Sequence, residues 1–238
     1  MFDIVVLVAG AALPAVVLLV LFYRADRARP EPLGLIGRSV LYGFLASIPA
    51  VALELIVDIP ASRLPGMFGI LWTSFITAAA VEEGVKYFFL KRYLLRNPAF
   101  DEVMDGIVYA ACVSLGFAFA ENLMYGMEGG LILLFRAFTA VPMHAAATGI
   151  MGYYIGMSRR ERDPGEAAAC RRKGFLAAML IHGLYDFSLF SGFPLMFGAF
   201  VTLLVAVRIL RRLIRKAKQL DDRAATINTA SGDVWESS

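Results

Sequence analysis

Seven stretches of this 238-residue chain are each long and apolar enough to cross a bilayer, which leaves little room for any fold but a bundle of membrane helices. About 30 Å of hydrocarbon crossed at about 1.5 Å per residue takes roughly 20 apolar residues. The stretches run approximately from Ile4 to Tyr23, Leu35 to Val57, Met67 to Leu90, Gly106 to Met127, Leu131 to Met157, Gly174 to Phe190 and Phe193 to Ile209. A hydrophobic fraction of 59%, only 18% charged residues and a mean hydropathy of +0.66 fit a water-soluble domain of this length poorly. The first stretch is too long for a signal-peptide core and no basic segment precedes it, so it reads as a retained helix. Pro60 and Pro65, Asn97 and Pro98, Gly129 and Gly130, and Ser191 and Gly192 supply turn chemistry between runs. The expected fold is therefore all-α, a polytopic integral membrane protein with about seven transmembrane helices. It forms one domain over 1–220, without repeats, and a polar tail over 221–238 is expected to be disordered.

Lys and Arg accumulate on the untranslocated side of a membrane, and the loops here alternate cleanly. Arg24, Arg27 and Arg29 follow the first run, and Lys91, Arg92 and Arg96 the third. Arg159, Arg160, Arg162, Arg171, Arg172 and Lys173 follow the fifth, and Arg211, Arg212, Arg215, Lys216 and Lys218 the seventh, whereas the opposite loops carry only Arg63. With seven spans this places the N-terminus outside and the C-terminus in the cytoplasm, with a basic segment against the anionic inner leaflet. The net charge of +3 thus reports on topology and calls for no nucleic-acid partner. Cys112 lies within a span and Cys170 in a loop, and no CxxC exists, so no disulfide framework is expected.

The informative residues are polar ones at membrane depth. An ionised side chain near the bilayer centre costs about 2.5 to 3.5 kcal/mol on insertion scales, so such residues face the bundle interior and mark function. The third run carries Glu82, Glu83 and Lys86, the fourth Glu121 and Asn122, the fifth Arg136 and His144, and the sixth His182 and Asp186. Glu82 and Glu83 lie four and three residues before Lys86, so either carboxylate can reach the ammonium. Adjacent residues point about 100° apart on a helix, so one glutamate is left for a water, a metal or a histidine. His182 and Asp186 are four apart, which lets the carboxylate orient one ring nitrogen. His144 follows Pro142, whose ring kinks the helix and frees a carbonyl that the imidazole can satisfy instead. That both histidines of the chain fall inside apolar runs favours a shared site.

Depth along the helices sets Glu82, Glu83 and His182 together, about 12 Å in, with His144 nearer the midplane. Glu121 comes out deeper, and joins the others only if its helix starts later than drawn or breaks near Gly116. Two histidines and two or three glutamates can supply a His2Glu metal set with an open position, with His144, His182 and Glu121 as ligands and zinc or another divalent ion as the metal. They can equally activate water directly. Glu54 and Arg136 lie near outer helix ends, where they can pair across helices or reach the headgroups. Asp101, Glu102 and Asp105 suit the positive end of a helix dipole. Gly149, Gly152 and Gly156 offer a packing face, within one chain or between two.

EEGVK over 82–86 and FAFAEN over 117–122, followed by single histidines on two later helices, resemble the PrsW family of intramembrane proteases. That family is related to the CAAX prenyl endopeptidase and bacteriocin-processing superfamily. The resemblance spans roughly Gly66 to Phe190 and implies hydrolysis of a membrane-tethered protein, typically an anti-sigma factor, in a bacterial inner membrane. It implies catalytic roles for Glu82, Glu83, Glu121, His144 and His182, with Lys86, Asn122 and Asp186 supporting them. A proton- or cation-coupled transporter using the same cluster is the second reading, although no internal symmetry of halves is visible.

Overall fold

The computed structural model describes residues 4–232, which form a helical bundle with no strand among them. In chain order the helices are α1 (Ile4–Ala25), α2 (Leu33–Val57), a 3₁₀ turn (Ala61–Arg63), α3 (Met67–Leu71), a π-helical stretch (Trp72–Ala80), α4 (Val81–Phe89) and a second π stretch (Leu90–Leu94). These are followed by α5 (Val103–Gly126), α6 (Gly130–Phe138), α7 (Ala140–Ser158), α8 (Pro164–Phe190) and α9 (Phe197–Gly232). Four helical stretches, Ile4–Ala25, Leu33–Arg63, Val103–Gly126 and Gly130–Ser158, are long and apolar enough to cross a membrane. The apolar side chains of α1 stay largely exposed, as with Leu13 and Leu21, which suits a lipid-facing helix.

Helix α5 is the axis of the molecule, with nearly every residue from Val103 to Asn122 buried. Its neighbours approach closely because small residues line the crossings. A Cβ on Gly152 would lie 2.2 Å from the Gly106 carbonyl oxygen, and one on Gly156 would lie 2.6 Å from that of Val103. The glycine face of α7 therefore packs within the chain, against α5, while Gly149 meets Leu210 of α9. On the opposite side α2 crosses α5 with Gly43 over Val113 and Gly116 over Val40. Gly116→Ala would set its methyl 1.9 Å from the Val40 carbonyl oxygen, and is expected to cost about 1 to 3 kcal/mol or more. Gly37→Ala, with nothing within 4 Å, should leave the thermal midpoint in detergent unchanged.

Several boundaries differ from those drawn on the sequence, each for a local reason. The fifth apolar run is two helices, parted at Thr139 (φ −124°, ψ −67°). Pro142 has no N–H, and its ring excludes the carbonyl four residues back, that of Phe138, so the chain breaks there rather than kinking later. Helix α8 begins at Pro164, ten residues before Gly174, because Asp163 accepts the Glu166 N–H at 2.8 Å and proline suits the first helical position. Beyond Leu220, where a disordered tail was expected, α9 continues to Gly232; residues 233–238 lie outside the described residues. Asp221 explains part of this continuation. Its carboxylate accepts the Val103 and Met104 N–H groups at 3.0 and 2.9 Å, capping α5 from 118 and 117 residues away, and pairs with Arg160 at 3.2 Å. Glu102 and Asp105 complete a capping box at the same helix start.

Candidate active site

All eight residues singled out on the sequence, Glu82, Glu83, Lys86, Glu121, Asn122, His144, His182 and Asp186, are buried and meet in one cluster. At its centre is the fully buried Lys86 ammonium, whose three donors reach Glu83 Oε1 (2.8 Å), His144 Nδ1 (3.1 Å) and Glu82 Oε2 (3.2 Å). The Phe117 ring lies beneath it, 4.2 Å away. An ammonium has no lone pair to offer, so His144 Nδ1 must accept, and a neutral ring then donates from Nε2 to Glu121 Oε2 at 2.6 Å.

The two adjacent glutamates are used differently. Glu83 turns into the protein, where it also accepts from the Thr148 hydroxyl (2.8 Å) and meets His182 Nδ1 (3.1 Å). Thr148 in turn lies 3.0 Å from Ser114 Oγ. Glu82 instead lines a cavity of about 630 Å³, shared with Glu54, Glu121, Arg136, His144, His182 and Asp186. On that side His182 Nε2 is 3.1 Å from Asp186 Oδ2 and 3.9 Å from Glu82 Oε1. The two imidazoles stand edge to face with centroids 4.8 Å apart.

Glu121 belongs to the cluster even though α5 starts at Val103 and is unbroken at Gly116. Depth taken from the full helices brings Glu121 level with His182. Glu121 lies eighteen residues beyond Val103 and His182 eighteen beyond Pro164, so both rise about 27 Å from their helix starts. Arg136, at the end of α6, pairs across helices, with partners on α5 rather than with Glu54. It donates to Asn122 Oδ1 at 2.8 Å and Glu121 Oε2 at 3.2 Å, and stacks over Tyr125. Thr148 and Ser114 were thus missed as parts of the site, and Arg136, named among the polar residues at membrane depth, was left outside it. Of these only Arg136, a charge within an apolar run, carries a sequence signal.

The donor set suits a metal. Glu82, His144 and His182 each offer a ligand atom, and those atoms lie within 4.8 Å of one another. Two imidazoles and a carboxylate are a catalytic zinc set. His182 has Nδ1 held by Glu83 and Nε2 on the cavity side, where a metal would have to displace Asp186. His144 would have to release either Lys86 or Glu121. The carboxylate that converges with both histidines is Glu82, whereas Glu121 meets His144 from the far side.

Residues 31–211 match the family described as PrsW family intramembrane metalloprotease. Curated relatives named Protease PrsW include one from Bacillus subtilis, 35% identical over 182 residues that cover 76% of this chain and 81% of the relative. Another, from Geobacillus kaustophilus, is 34% identical over 78% of this chain and 80% of its own length. A third, from Oceanobacillus iheyensis, is 34% identical over 87% of this chain and 94% of its own. No solved structure gives a significant match. A buried cluster able to take a metal inside a bundle of membrane helices is what such a peptidase requires, and on these matches the chain belongs to the PrsW family of intramembrane metalloproteases.

Proposed function

We propose that this chain hydrolyses a peptide bond of a membrane-tethered protein, an anti-sigma factor being the expected substrate, at the cavity lined by Glu82, Glu121, His144, His182 and Asp186. The observation that carries the reading is that the cavity wall holds every cluster member able to touch a substrate, while Glu83, Lys86 and Thr148 stand behind it. Glu82, His144 and His182 would hold a zinc or similar divalent ion, which when bound supplies Lewis-acid polarisation of a water and of the scissile carbonyl. Glu121, fixed by Arg136, takes a proton from the attacking water and returns it to the leaving amide nitrogen. Glu83 orients His182 through Nδ1, Asp186 stands at its Nε2 on the cavity side, and Asn122 braces Arg136. The mostly apolar wall, with Val51, Leu55, Phe135 and Leu189, excludes bulk water and accepts an unwound apolar segment of substrate.

The chain is expected to lie in a bacterial inner membrane, with seven spans, the N-terminus outside and the basic helix ends in the cytoplasm. The transporter reading is not favoured, because the family is one of peptidases.

The test is cleavage of a tagged single-pass membrane protein by the purified chain in liposomes. Cleavage should stop on chelation, return with zinc, and be absent in folded His182→Ala. Chelator-resistant cleavage would remove the metal from the proposal, and failure to cut any single-pass candidate, with proton or ion flux in its place, would overturn the peptidase reading.

A further inference from the structure

A second group of carboxylates lies far from the cavity, at the basic end of the bundle. Asp26 and Glu31 belong to the connection between α1 and α2, and Asp105 to the first turn of α5. All three are more than nine-tenths buried, at 5%, 7% and 0% exposure. Each offers an oxygen within 4.8 Å of the other two.

The partners of these groups account for only part of their oxygens. Asp105 Oδ2 accepts the Asp101 and Glu102 N–H groups at 2.8 and 2.7 Å, and Glu31 Oε2 takes the Tyr109 hydroxyl. Asp26 Oδ2 and Asp105 Oδ1 are buried and, with all three groups ionised, receive no hydrogen bond from the described residues, although a proton on Glu31 would bridge it to Asp105. The neighbouring cations are engaged elsewhere: Arg29 pairs with Glu102 (2.5 Å) and Asp222 (3.1 Å), and Arg160 with Asp221 (3.2 Å). Lys218 and Arg29 act on Asp26 only through their fields. Three buried carboxylates this close must share protons or be bridged by a positive charge. Orphaned buried oxygens on members of such a group are what an ion would satisfy.

We propose that Asp26, Glu31 and Asp105 form a second, structural cation site, which takes a hard divalent ion of the magnesium and calcium class and ties the α1–α2 connection to the start of α5. An all-oxygen carboxylate set selects such ions, whereas the histidine-bearing cluster in the cavity suits zinc. The site acts on function through position. Asp105 stands at the foot of the helix that carries Glu121 and Asn122, and the Asp221 cap sits two residues before it, so an ion here would fix the register of α5 against α1, α2 and α9.

The experiment uses the full chain in detergent, stripped with EDTA, in a Glu82→Gln background that leaves this second group intact. Manganese is the spectroscopic probe, and magnesium and calcium are the competitors. One manganese should bind per chain, be displaced by magnesium or calcium, and raise the thermal midpoint. Asp26→Asn and Glu31→Gln should each weaken binding by about tenfold or more, because charge count sets affinity at such sites. Both variants should be at least as stable as the parent in EDTA, having lost a repulsion, yet gain nothing from added magnesium or calcium. Asp105→Asn is the weaker tool, since Asp105 also caps α5. Absence of bound manganese in the folded, stripped protein, or wild-type affinity in both Asp26→Asn and Glu31→Gln, would overturn the site and leave a proton-sharing cluster.

Discussion

Glu82→Gln and Glu121→Gln should both abolish measurable peptide cleavage, and the metal content of the two proteins should differ. Glu82 converges with His144 and His182, so its amide variant is expected to lose the metal as well as the activity. Glu121 lies on the other side of His144, held by Arg136, so its variant should keep the metal and lose proton transfer, a fall of about 10²- to 10⁴-fold in kcat. Neither change should unfold the bundle. A glutamine at 82 can still accept from Lys86, and one at 121 can still meet Arg136 and His144. The comparison is direct, by elemental analysis and single-turnover cleavage on the same preparations. If Glu121→Gln is metal-free and Glu82→Gln loaded, the two carboxylates exchange roles, and Glu121 becomes the ligand, as first expected from the sequence.

The second large effect is on stability. Lys86→Met removes the one ammonium that neutralises Glu82 and Glu83 and that fills the His144 Nδ1 lone pair. Removing one partner of a buried ion pair costs about 3 to 5 kcal/mol, mostly from the uncompensated charge left behind. Lys86→Met should therefore lower the thermal midpoint sharply or prevent accumulation of the folded protein. Glu83→Gln alone should cost less, because an amide can still accept from Lys86 and Thr148. The informative protein is the double variant Glu83→Gln, Lys86→Met. If buried charge is the cause, the pair recovers much of the stability lost in Lys86→Met, while cleavage stays absent because His182 has lost the anion on Nδ1. Equal destabilisation in the single and double variants would instead point to lost packing against Phe117.

These two predictions rest on contacts of different legibility. The pairs Glu82–Lys86 and His182–Asp186 are local: the helical repeat sets residues four apart on one face, and both are found at 3.2 and 3.1 Å. That the chain buries its histidines and most of its membrane-depth carboxylates together follows from their cost in hydrocarbon, which only mutual contact offsets. The helical character, with four stretches long and apolar enough to cross a membrane, follows from the same apolar runs.

Which glutamate of the adjacent pair faces the cavity was not legible. Residues 72–80 are π-helical, with i→i+5 bonds, so the facing of everything after them departs from a regular α-helical projection. The turn of Glu82 outward and Glu83 inward follows from that winding together with Thr148 on α7. The place of Glu121 was also out of reach, because depth counted along a helix depends on where every helix begins, and the Asp163 and Asp221 caps set those beginnings. Arg136 reaches Glu121 only because the chain breaks at Thr139 and lets α6 leave the line of α7. The sequence by itself therefore determined the helical character, the presence of stretches long and apolar enough to cross a bilayer and the chemical inventory of the site, since these depend on hydropathy and on neighbours within one turn. The tertiary structure alone decided which carboxylate meets which imidazole, because those contacts depend on the winding, starting register and crossing of helices far apart in the chain.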